Sequence, residues 1–399
     1  MDLTADEQAV LDGEQGEGFQ KAMEIVVALG KIYGAQDLIP IKSAQVSGVS
    51  FKNLGEAGLE FLQEWAALGA KCTVPTTLNP AAMDLQAWEA MGIPEDFAHK
   101  QMEVIEAYEK MGVSPTCTCV PYLVGNTPDF GDHVAWAESS AVTYCNSVLG
   151  ARTNREGGPS SLAAGIIGRT ANYGLHLDDK RNPELGFHIS ANLRTDADYS
   201  VLGYIIGKSA GEKVVWLENI SRPEVDSLKI FGAAIAAYGS VALYHIDGIT
   251  PEFNCVTSPP DSTVISQADL AAAYDDINAE VGAVDFVAIG CPHNSLAELR
   301  TIAKLLKGKH VKVECWVLTA RPIKDLAVEE GLEQIFTASG AKLLADTCMV
   351  VSPVELLGFQ SIVTNSGKAC FYSRSLNNLQ VHIGDLKKCI EVAVSGQWN

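Results

Sequence analysis

The sequence has no long uncharged apolar run and is short of positive charge. None of its apolar stretches approaches the roughly 18 uncharged residues that a membrane-spanning helix needs. Asp and Glu outnumber Lys and Arg by 49 to 29, which gives a formal net charge of −20. Such a surface repels nucleic acid backbones and anionic lipids. We therefore expect neither nucleic acid nor a membrane surface as a partner, although a few local cations can still attract a small anionic substrate.

The sequence also lacks a secretion signal and the cysteine spacing of a disulfide framework. Its acidic first residues have neither the basic flank nor the apolar segment of a leader peptide, which favours a cytoplasmic location. The 10 cysteines are scattered over 399 residues and form no Cys-x-x-Cys pair. Most of them are therefore expected to be reduced, buried and inert.

Helical and strand-like segments alternate along the chain, which indicates an α/β protein. The clearest unit covers about residues 284–350. Its first apolar run, 284–290, reads as a buried strand, and Ser295 with Glu298 forms the capping box of the following helix. Two further strands separated by a helical segment complete a β-α-β-α-β pattern. This pattern favours a parallel sheet with right-handed crossovers.

Three turn-rich loops carry the cysteines that are candidates for chemistry. Cys119 lies in TCTCVPY, Cys291 in IGCPHNS and Cys348 in ADTCMVVSP. Cys291 and Cys348 are each expected just past the carboxyl end of a strand of one sheet, the edge where ligands collect in open α/β folds. Three thiolates from separate loops suit an iron–sulfur cluster that keeps one iron open to substrate. Spacing alone is equally compatible with inert thiols in tight turns.

Two other kinds of site remain open at this point. A structural zinc site in an interaction protein would use Cys117, Cys119, Cys291 and His293, a familiar set of zinc ligands. A thiol nucleophile would pair Cys291 with His293, but side chains two residues apart diverge when the backbone is extended.

Arginines and glycines form a second constellation in GARTNREGGPSS. Arg152 and Arg155 flank Asn154, and two guanidiniums with an amide between them predict a clamp for a carboxylate or phosphate. The glycines that follow allow backbone N–H groups at the start of the next helix to approach an anion. The preceding helical segment carries a polar run that consists of Glu138, Ser139 and Ser140.

Two further polar turns are candidates for the lining of a binding pocket. TNSGKACFY offers Ser366 and Lys368, although it lacks the full glycine-lysine pattern of a P-loop. IKSAQVSGVSF offers Gln45, Ser47 and Gly48 after the end of an apolar strand. Both stretches are also compatible with ordinary polar turns.

Taken together, four stretches resemble the large catalytic subunit of the aconitase X family. They are TCTCVPYLVGNTP, HVAWAESSAVTYCNSVLGARTNREGGPS, GCPHNSLAEL and DTCMVVSP, and the likeness extends in the same order over essentially the whole chain. The resemblance implies an aconitase-like fold, in which three α/β subdomains with parallel sheets surround a cleft that holds a cluster. It also implies that the swivelling domain is a separate small subunit, which pairs with this chain and contributes a catalytic serine.

The resemblance also implies roles for individual residues. Cys119, Cys291 and Cys348 match the cluster cysteines of the family, so a [4Fe-4S] cluster is expected, with Cys117 as packing beside it. Substrate would be held by Arg152 and Arg155, with further contacts from Asn154, Ser139 and Ser140. The main base is expected on the small subunit, and Glu138 is a candidate to assist proton movement.

Two activities are known in this family. Some members dehydrate (R)-5-phosphomevalonate to trans-anhydromevalonate 5-phosphate in an archaeal-type mevalonate pathway, and others dehydrate cis-3-hydroxy-L-proline. The overall likeness of this chain is closer to the first group, and hydroxyproline dehydration is the alternative.

Overall fold

The structure is a computed structural model that describes residues 1–278 and 280–399. Three α/β units follow one another along the chain, and each contains a parallel sheet. Within the described residues, no helix is both long and apolar enough to cross a membrane.

The first unit contains a small sheet whose strand order is β3-β2-β4. The central strand runs parallel to both neighbours, with Ala44 in register with Thr76 on one side and with Ala135 on the other. Its helices are α1 (Ala5–Leu11), α2 (Glu17–Tyr33), α3 (Phe51–Ala67), α4 (Glu95–Lys110), α5 (Ser139–Tyr144) and α6 (Gly158–Ile167). Its strands are β1 (Leu38–Pro40), β2 (Ala44–Val46), β3 (Thr76–Leu78), β4 (Ala135–Trp136) and β5 (Arg169–Ala171), and β1 pairs with β5 in antiparallel fashion.

The second unit has a four-stranded parallel sheet in the order β8-β7-β6-β9. Its elements are β6 (Leu185–Ile189), α7 (Asp196–Ala210), β7 (Val215–Glu218), α8 (Val225–Gly239), β8 (Tyr244–Ile246), β9 (Ser262–Ile265) and α9 (Gln267–Ile277). Helices α7 and α8 pack closely, because Gly203 and Gly207 of α7 leave no side chain between the two backbones.

The third unit has a five-stranded parallel sheet in the order β13-β12-β11-β14-β15. Its strands are β10 (Gly282–Ala283), β11 (Phe286–Asn294), β12 (Glu314–Thr319), β13 (Lys342–Ala345), β14 (Ser361–Thr364), β15 (Gln380–Ile383) and β16 (Gln397–Trp398). Its helices are α10 (Leu296–Leu306), α11 (Arg321–Glu329), α12 (Leu332–Ser339), α13 (Gly367–Ser375) and α14 (Leu386–Ser395).

The strands and helices that the sequence predicts for the third unit are present in the structure, with two differences. Ser295 caps α10 as expected, since its hydroxyl accepts from the Glu298 N–H at 3.2 Å and the Glu298 carboxylate accepts from the Ser295 N–H at 2.7 Å. The helical segment before β13 is two helices, because Gly331 adopts a left-handed φ of 74° between them. The sheet also continues beyond residue 350 with β14 and β15.

A buried charge network joins the first unit to the third. The fully buried carboxylate of Asp84 accepts from the Arg321 guanidinium at 2.5 Å and from the Lys324 ammonium at 3.2 Å, both on α11. It also accepts from the backbone N–H of Ala345 at 2.9 Å, at the end of β13. Burial opposes ionisation of Asp84, but these donors lower its pKa. The network therefore fixes the strand end that leads into the loop of Cys348.

Candidate active site

A cavity of about 210 Å³ lies between the first and third units. Ser47, Asn79 and Ala137 line it, and each is the first residue after a strand of the first sheet. The loop that follows β13 of the third sheet contributes Cys348, and the first turn of α13, which follows β14, contributes Lys368. The carboxyl edges of two parallel sheets therefore face one cavity, which is the usual place for a ligand in open α/β folds.

The three candidate cysteines all line this cavity. Cys119, Cys291 and Cys348 are at most 8% exposed, and they come from three separate segments of the chain. The position of Cys291 corrects the sequence-based expectation, because β11 runs on to Asn294 and Cys291 lies inside it. The register of β11 against β12 shifts between Ile289 and Asn294, so Cys291 belongs to a bulge. The bulge aims the thiol at the cavity.

Burial is the main influence on these thiols. It raises the pKa of Cys119, Cys291 and Cys348 to about 12 each, while the ammonium of Lys368 opposes the rise. A negative charge on Cys348 would raise the pKa of Cys119, and a negative charge on Cys119 would raise the pKa of Cys291. The three sulfurs are therefore within electrostatic reach of one another. In the metal-free chain they carry protons at neutral pH, which a bound metal would displace.

The donor set fits an iron–sulfur cluster better than a single zinc ion. Among residues 1–278 and 280–399, no three His, Cys, Asp or Glu side chains are placed to hold one metal ion. A cluster has less demanding spacing, because its thiolates bind different iron atoms. Cys117 belongs to the hydrophobic core of the first unit, and both ring nitrogens of His293 already have protein partners. The zinc set and the Cys291–His293 nucleophile are therefore not supported.

Glu138 and Lys368 form a buried ion pair at the wall of the cavity. One carboxylate oxygen of Glu138 accepts hydrogen bonds from the Lys368 ammonium and from the Ser140 hydroxyl at 3.0 Å. The same oxygen accepts from the Ser140 N–H at 3.3 Å, so Glu138 caps the start of α5. The other accepts from the Asn79 amide at 2.7 Å. The Glu138 N–H donates to the Gln45 side chain at 2.9 Å. Hydrogen bonds from Gln45 on β2, from Asn79 directly after β3 and from Ser140 on α5 therefore hold the pair in place.

The two partners stabilise each other's charge. Burial by itself would raise the pKa of Glu138, but the Lys368 ammonium and the Asn79 and Ser140 donors lower it to about 2. Burial would lower the pKa of Lys368, but the charge of Glu138 and the nearby thiols raise it. Both groups are therefore ionised at neutral pH.

Most of the residues expected at the pocket lie at the cavity or directly behind it. Ser47, Ser139, Arg155 and Lys368 line it together with Glu138. Gln45, Gly48, Ser140 and Ser366 lie behind this wall. The Gly48 carbonyl accepts from the Tyr108 hydroxyl at 3.0 Å, and Ser366 caps α13 beside Cys291.

The two-arginine clamp expected from the sequence is corrected to a single arginine. The guanidinium of Arg152 points away from the cavity, where it pairs with Asp178 at 2.5 Å and donates to the His176 carbonyl at 3.1 Å. The Asn154 amide is bonded to the Tyr173 carbonyl and to the Leu175 N–H. Both residues are therefore engaged with the segment 173–178, and neither lines the cavity.

Arg155 differs from Arg152 because its side chain is exposed and faces the cavity. Among the described residues, no carboxylate lies within ion-pairing distance of its guanidinium. The loop that carries it follows a π-helical turn, Cys145–Leu149. Such turns are frequent at functional sites.

Sequence reasoning missed several residues of the cavity wall. Asn53 and Asn79 add amides, and Tyr372 lies one helical turn after Lys368 on α13. Asn79 had a usable signal, since it is the first residue after the strand-like run TTL. The apolar part of the wall, which had no such signal, consists of Val350, Val351 and Leu376.

Family models and known proteins match this chain over nearly its whole length. Family models described as aconitase X first, second and third domain match residues 1–179, 183–275 and 284–395. The phosphomevalonate dehydratase large subunit of Thermococcus kodakarensis is 48% identical over 397 residues, covering 98% of this chain and 100% of that protein. The cis-3-hydroxy-L-proline dehydratase of Hypocrea jecorina is 34% identical over 416 residues, covering 100% of this chain but 70% of that protein.

A solved structure shows the same architecture. The crystal structure of Thermococcus kodakaraensis aconitase X in its holo-form superposes with a TM-score of 0.93 at 47% identity, covering 98% of this chain and 100% of that one. The fold and the thiol-lined cavity thus define an aconitase-like α/β protein, as the sequence predicted. More particularly, the chain belongs to the aconitase X family.

The buried pair gives stability a specific dependence on pH. In Glu138→Gln, Lys368 loses its counter-charge, so we expect unfolding to cost about 3 kcal/mol less near neutral pH. Because the folded pKa of Glu138 is depressed from 4.5 to about 2, this difference should be full above pH 4.5 and shrink as the pH falls towards 2. Urea unfolding of both proteins between about pH 7 and about pH 3 measures it.

Glu156→Gln is the matched control for this prediction. Glu156 is equally buried, but it is bonded only to the hydroxyls of Ser160 and Thr170, and burial raises its pKa. Its neutralisation removes no counter-charge, so the difference from wild type should change with pH in the opposite direction. If the free energy of unfolding, relative to wild type, changed with pH in the same direction in both variants, the assignment of Glu138 as an ion-pair partner would be contradicted.

Proposed function

We propose that this chain is the large subunit of a phosphomevalonate dehydratase, a hydro-lyase. Its greater identity to phosphomevalonate dehydratase large subunits, together with full coverage of them, carries this conclusion. In the proposed reaction, the carbon next to the carboxylate of (R)-5-phosphomevalonate loses a proton. The hydroxyl group leaves the neighbouring carbon, and the C–H electron pair forms the double bond of trans-anhydromevalonate 5-phosphate. The other product is water.

The proposed cofactor is a [4Fe-4S] cluster held by Cys119, Cys291 and Cys348. Three buried sulfur donors, two from loops and one from the bulge of β11, support it at one cavity, since soft thiolates favour iron–sulfur centres. With one iron free of protein ligands, such a cluster supplies a Lewis acid for the departure of the hydroxyl group.

The cations of the cavity suit a substrate with two anionic ends. Arg155 is a cation at the wall that has no carboxylate partner among residues 1–278 and 280–399, so its guanidinium is available to a carboxylate or phosphate. Lys368 is held in place by Glu138 and keeps its proton, so it donates hydrogen bonds to substrate oxygens. Val350, Val351 and Leu376 offer the carbon skeleton an apolar surface.

Glu138 is poorly suited to remove the proton. A carboxylate whose pKa is about 2 is a weak base, and both of its oxygens already accept hydrogen bonds. Its proposed role is to orient Lys368. The base is proposed to come from a separate small subunit, which the name "large subunit" of the relatives supports. A cytoplasmic location remains the expectation from composition.

A substrate assay tests the function directly. The anaerobically purified chain, mixed with a small subunit from the same family, should release anhydromevalonate 5-phosphate from (R)-5-phosphomevalonate and leave cis-3-hydroxy-L-proline unchanged. Product is measured by mass spectrometry and by absorbance of the conjugated acid. Turnover of hydroxyproline alone would favour the alternative substrate. Substantial activity without the small subunit would contradict the assignment of the base.

The cluster assignment predicts a sharp difference among buried cysteines. Changing Cys119, Cys291 or Cys348 to Ser should remove most of the bound iron, the brown colour and the turnover, because a hard hydroxyl replaces a soft ligand. The control is Cys315→Ser, since this thiol is equally buried but lies in the core on the other face of the sheet. Iron and sulfide analysis of all four variants measures the effect. Full iron content in a cavity variant would overturn its assignment as a ligand.

The two arginines should respond differently to substitution. Arg155→Met removes a charged contact with substrate, so kcat/KM should fall about 10- to 100-fold with the cluster absorbance unchanged. Arg152→Met should leave KM near that of the wild type, because its guanidinium is bonded to Asp178 and to the His176 carbonyl, away from the cavity. Steady-state kinetics and the visible spectrum of both variants check this. Equal loss of kcat/KM in the two variants would restore the two-arginine clamp.

A further inference from the structure

The buried side chain of His293 lies between the loops of the three cysteines. His293 is 0% exposed and stands two residues after Cys291, in the bulged end of β11. Its imidazole is 2.9 Å from the Thr118 hydroxyl, next to Cys119, and 2.7 Å from the carbonyl of Thr347, next to Cys348. One side chain therefore contacts the loops of Cys119 and Cys348 and lies on the same bulged strand end as Cys291.

The backbone of His293 adds two more contacts. Its N–H donates to the sulfur of Cys119 at 3.2 Å, and its carbonyl accepts from the Lys229 ammonium at 3.2 Å. Lys229 is buried and pairs with Asp226 and Glu298, so the carbonyl is held by a fixed cation. All four polar atoms of His293 thus have protein partners, which leaves none for a metal or a substrate.

The hydrogen bonds allow one tautomer of the imidazole. The Thr347 carbonyl can only accept, so Nε2 of His293 carries the proton and Nδ1 is the acceptor. The Thr118 hydroxyl already accepts from the Val120 N–H at 3.2 Å, so its proton is free to be donated to Nδ1. A continuous chain of hydrogen bonds thus runs from the Val120 N–H through the Thr118 hydroxyl and the His293 imidazole to the Thr347 carbonyl.

We propose that His293 is the positioning residue that sets the mutual placement of Cys119, Cys291 and Cys348. The inference rests on the proposed function, since it assigns a purpose to three converging thiols. Thr118 and Thr347 lie 175 and 54 positions from His293 in sequence, so chain connectivity does not hold these loops together. A buried, fully bonded imidazole does so with little residual freedom.

The N–H donated to the Cys119 sulfur gives this arrangement a second effect. Hydrogen bonds to a thiolate stabilise its negative charge, and in iron–sulfur proteins they raise the reduction potential. This N–H is aimed by the same residue whose side chain is tied at both ring nitrogens. Loosening of the imidazole should therefore change the cluster as well as the loops.

The test measures iron release instead of turnover. We expect His293→Leu, which removes both imidazole hydrogen bonds between the segments that carry the cysteines, to lose iron to a chelator about 10-fold faster than wild type, because outer contacts that orient metal ligands typically change metal affinity by about 10- to 100-fold. Its reduction potential should shift, and the cavity thiols of the metal-free chain should be alkylated faster. The matched control is His382→Leu, because His382 is a buried histidine of the same sheet, on strand β15, that does not line the cavity.

A pair of Thr118 variants keeps the test decisive if His293→Leu does not fold. Thr118→Val removes only the hydroxyl that donates to Nδ1 and should speed iron release, whereas Thr118→Ser keeps it and should restore the wild-type rate. A purely structural role would instead make iron release follow the unfolding midpoint in all variants, His382→Leu included, and that result would overturn the inference. Wild-type release rates in both His293→Leu and Thr118→Val would overturn it as well.

The failure of the proposed function has a different signature. If the wild-type chain itself takes up no iron and sulfide on anaerobic reconstitution, the cluster assignment falls, and this inference falls with it. If the wild type is loaded with a cluster and the His293 and Thr118 variants release iron at the wild-type rate, the proposed function stands and the role of His293 is rejected.

Discussion

The site depends on the meeting of two parallel sheets at their carboxyl edges. Residues that directly follow β2, β3 and β4 of the first unit face residues that follow β13 and β14 of the third. Strand ends of this kind carry loops that are free to differ in sequence while their starting points stay fixed. Cys119, Cys291 and Cys348 can therefore converge although they are far apart in the chain. The buried network around Asp84 and the hydrogen bonds of His293 maintain that convergence.

Charge is distributed very unevenly between the surface and the cavity. The chain carries a net charge of −20, yet the cavity presents Arg155 and Lys368. Glu138 neutralises the second of these, so the ion pair fixes a donor in place while Arg155 supplies the uncompensated charge. A small anion is therefore attracted only locally. The cost of burying Lys368 is offset because its partner is equally buried and is bonded to Asn79 and Ser140.

Local sequence patterns were reliable where the cause was local. The capping box of Ser295 and Glu298 and the alternation of strands and helices in the third unit depend on neighbours three or four residues away. The pattern RTNRE was misleading, because the direction of Arg152 is set by Asp178 and His176, more than twenty residues further on. The position of Asn79 after a strand-like run indicated the cavity edge, but nothing near it in sequence indicated Glu138, 59 positions away, as its partner.

The sequence by itself determined the fold class and the family, because those depend on the order of elements and on long motifs with fixed spacing. Only the tertiary structure decided which arginine faces the cavity, where Cys291 lies in its strand, and that Glu138 is bound to Lys368. Those features result from contacts between residues up to 230 positions apart. Side-chain direction and burial come from packing between units, which no local pattern encodes.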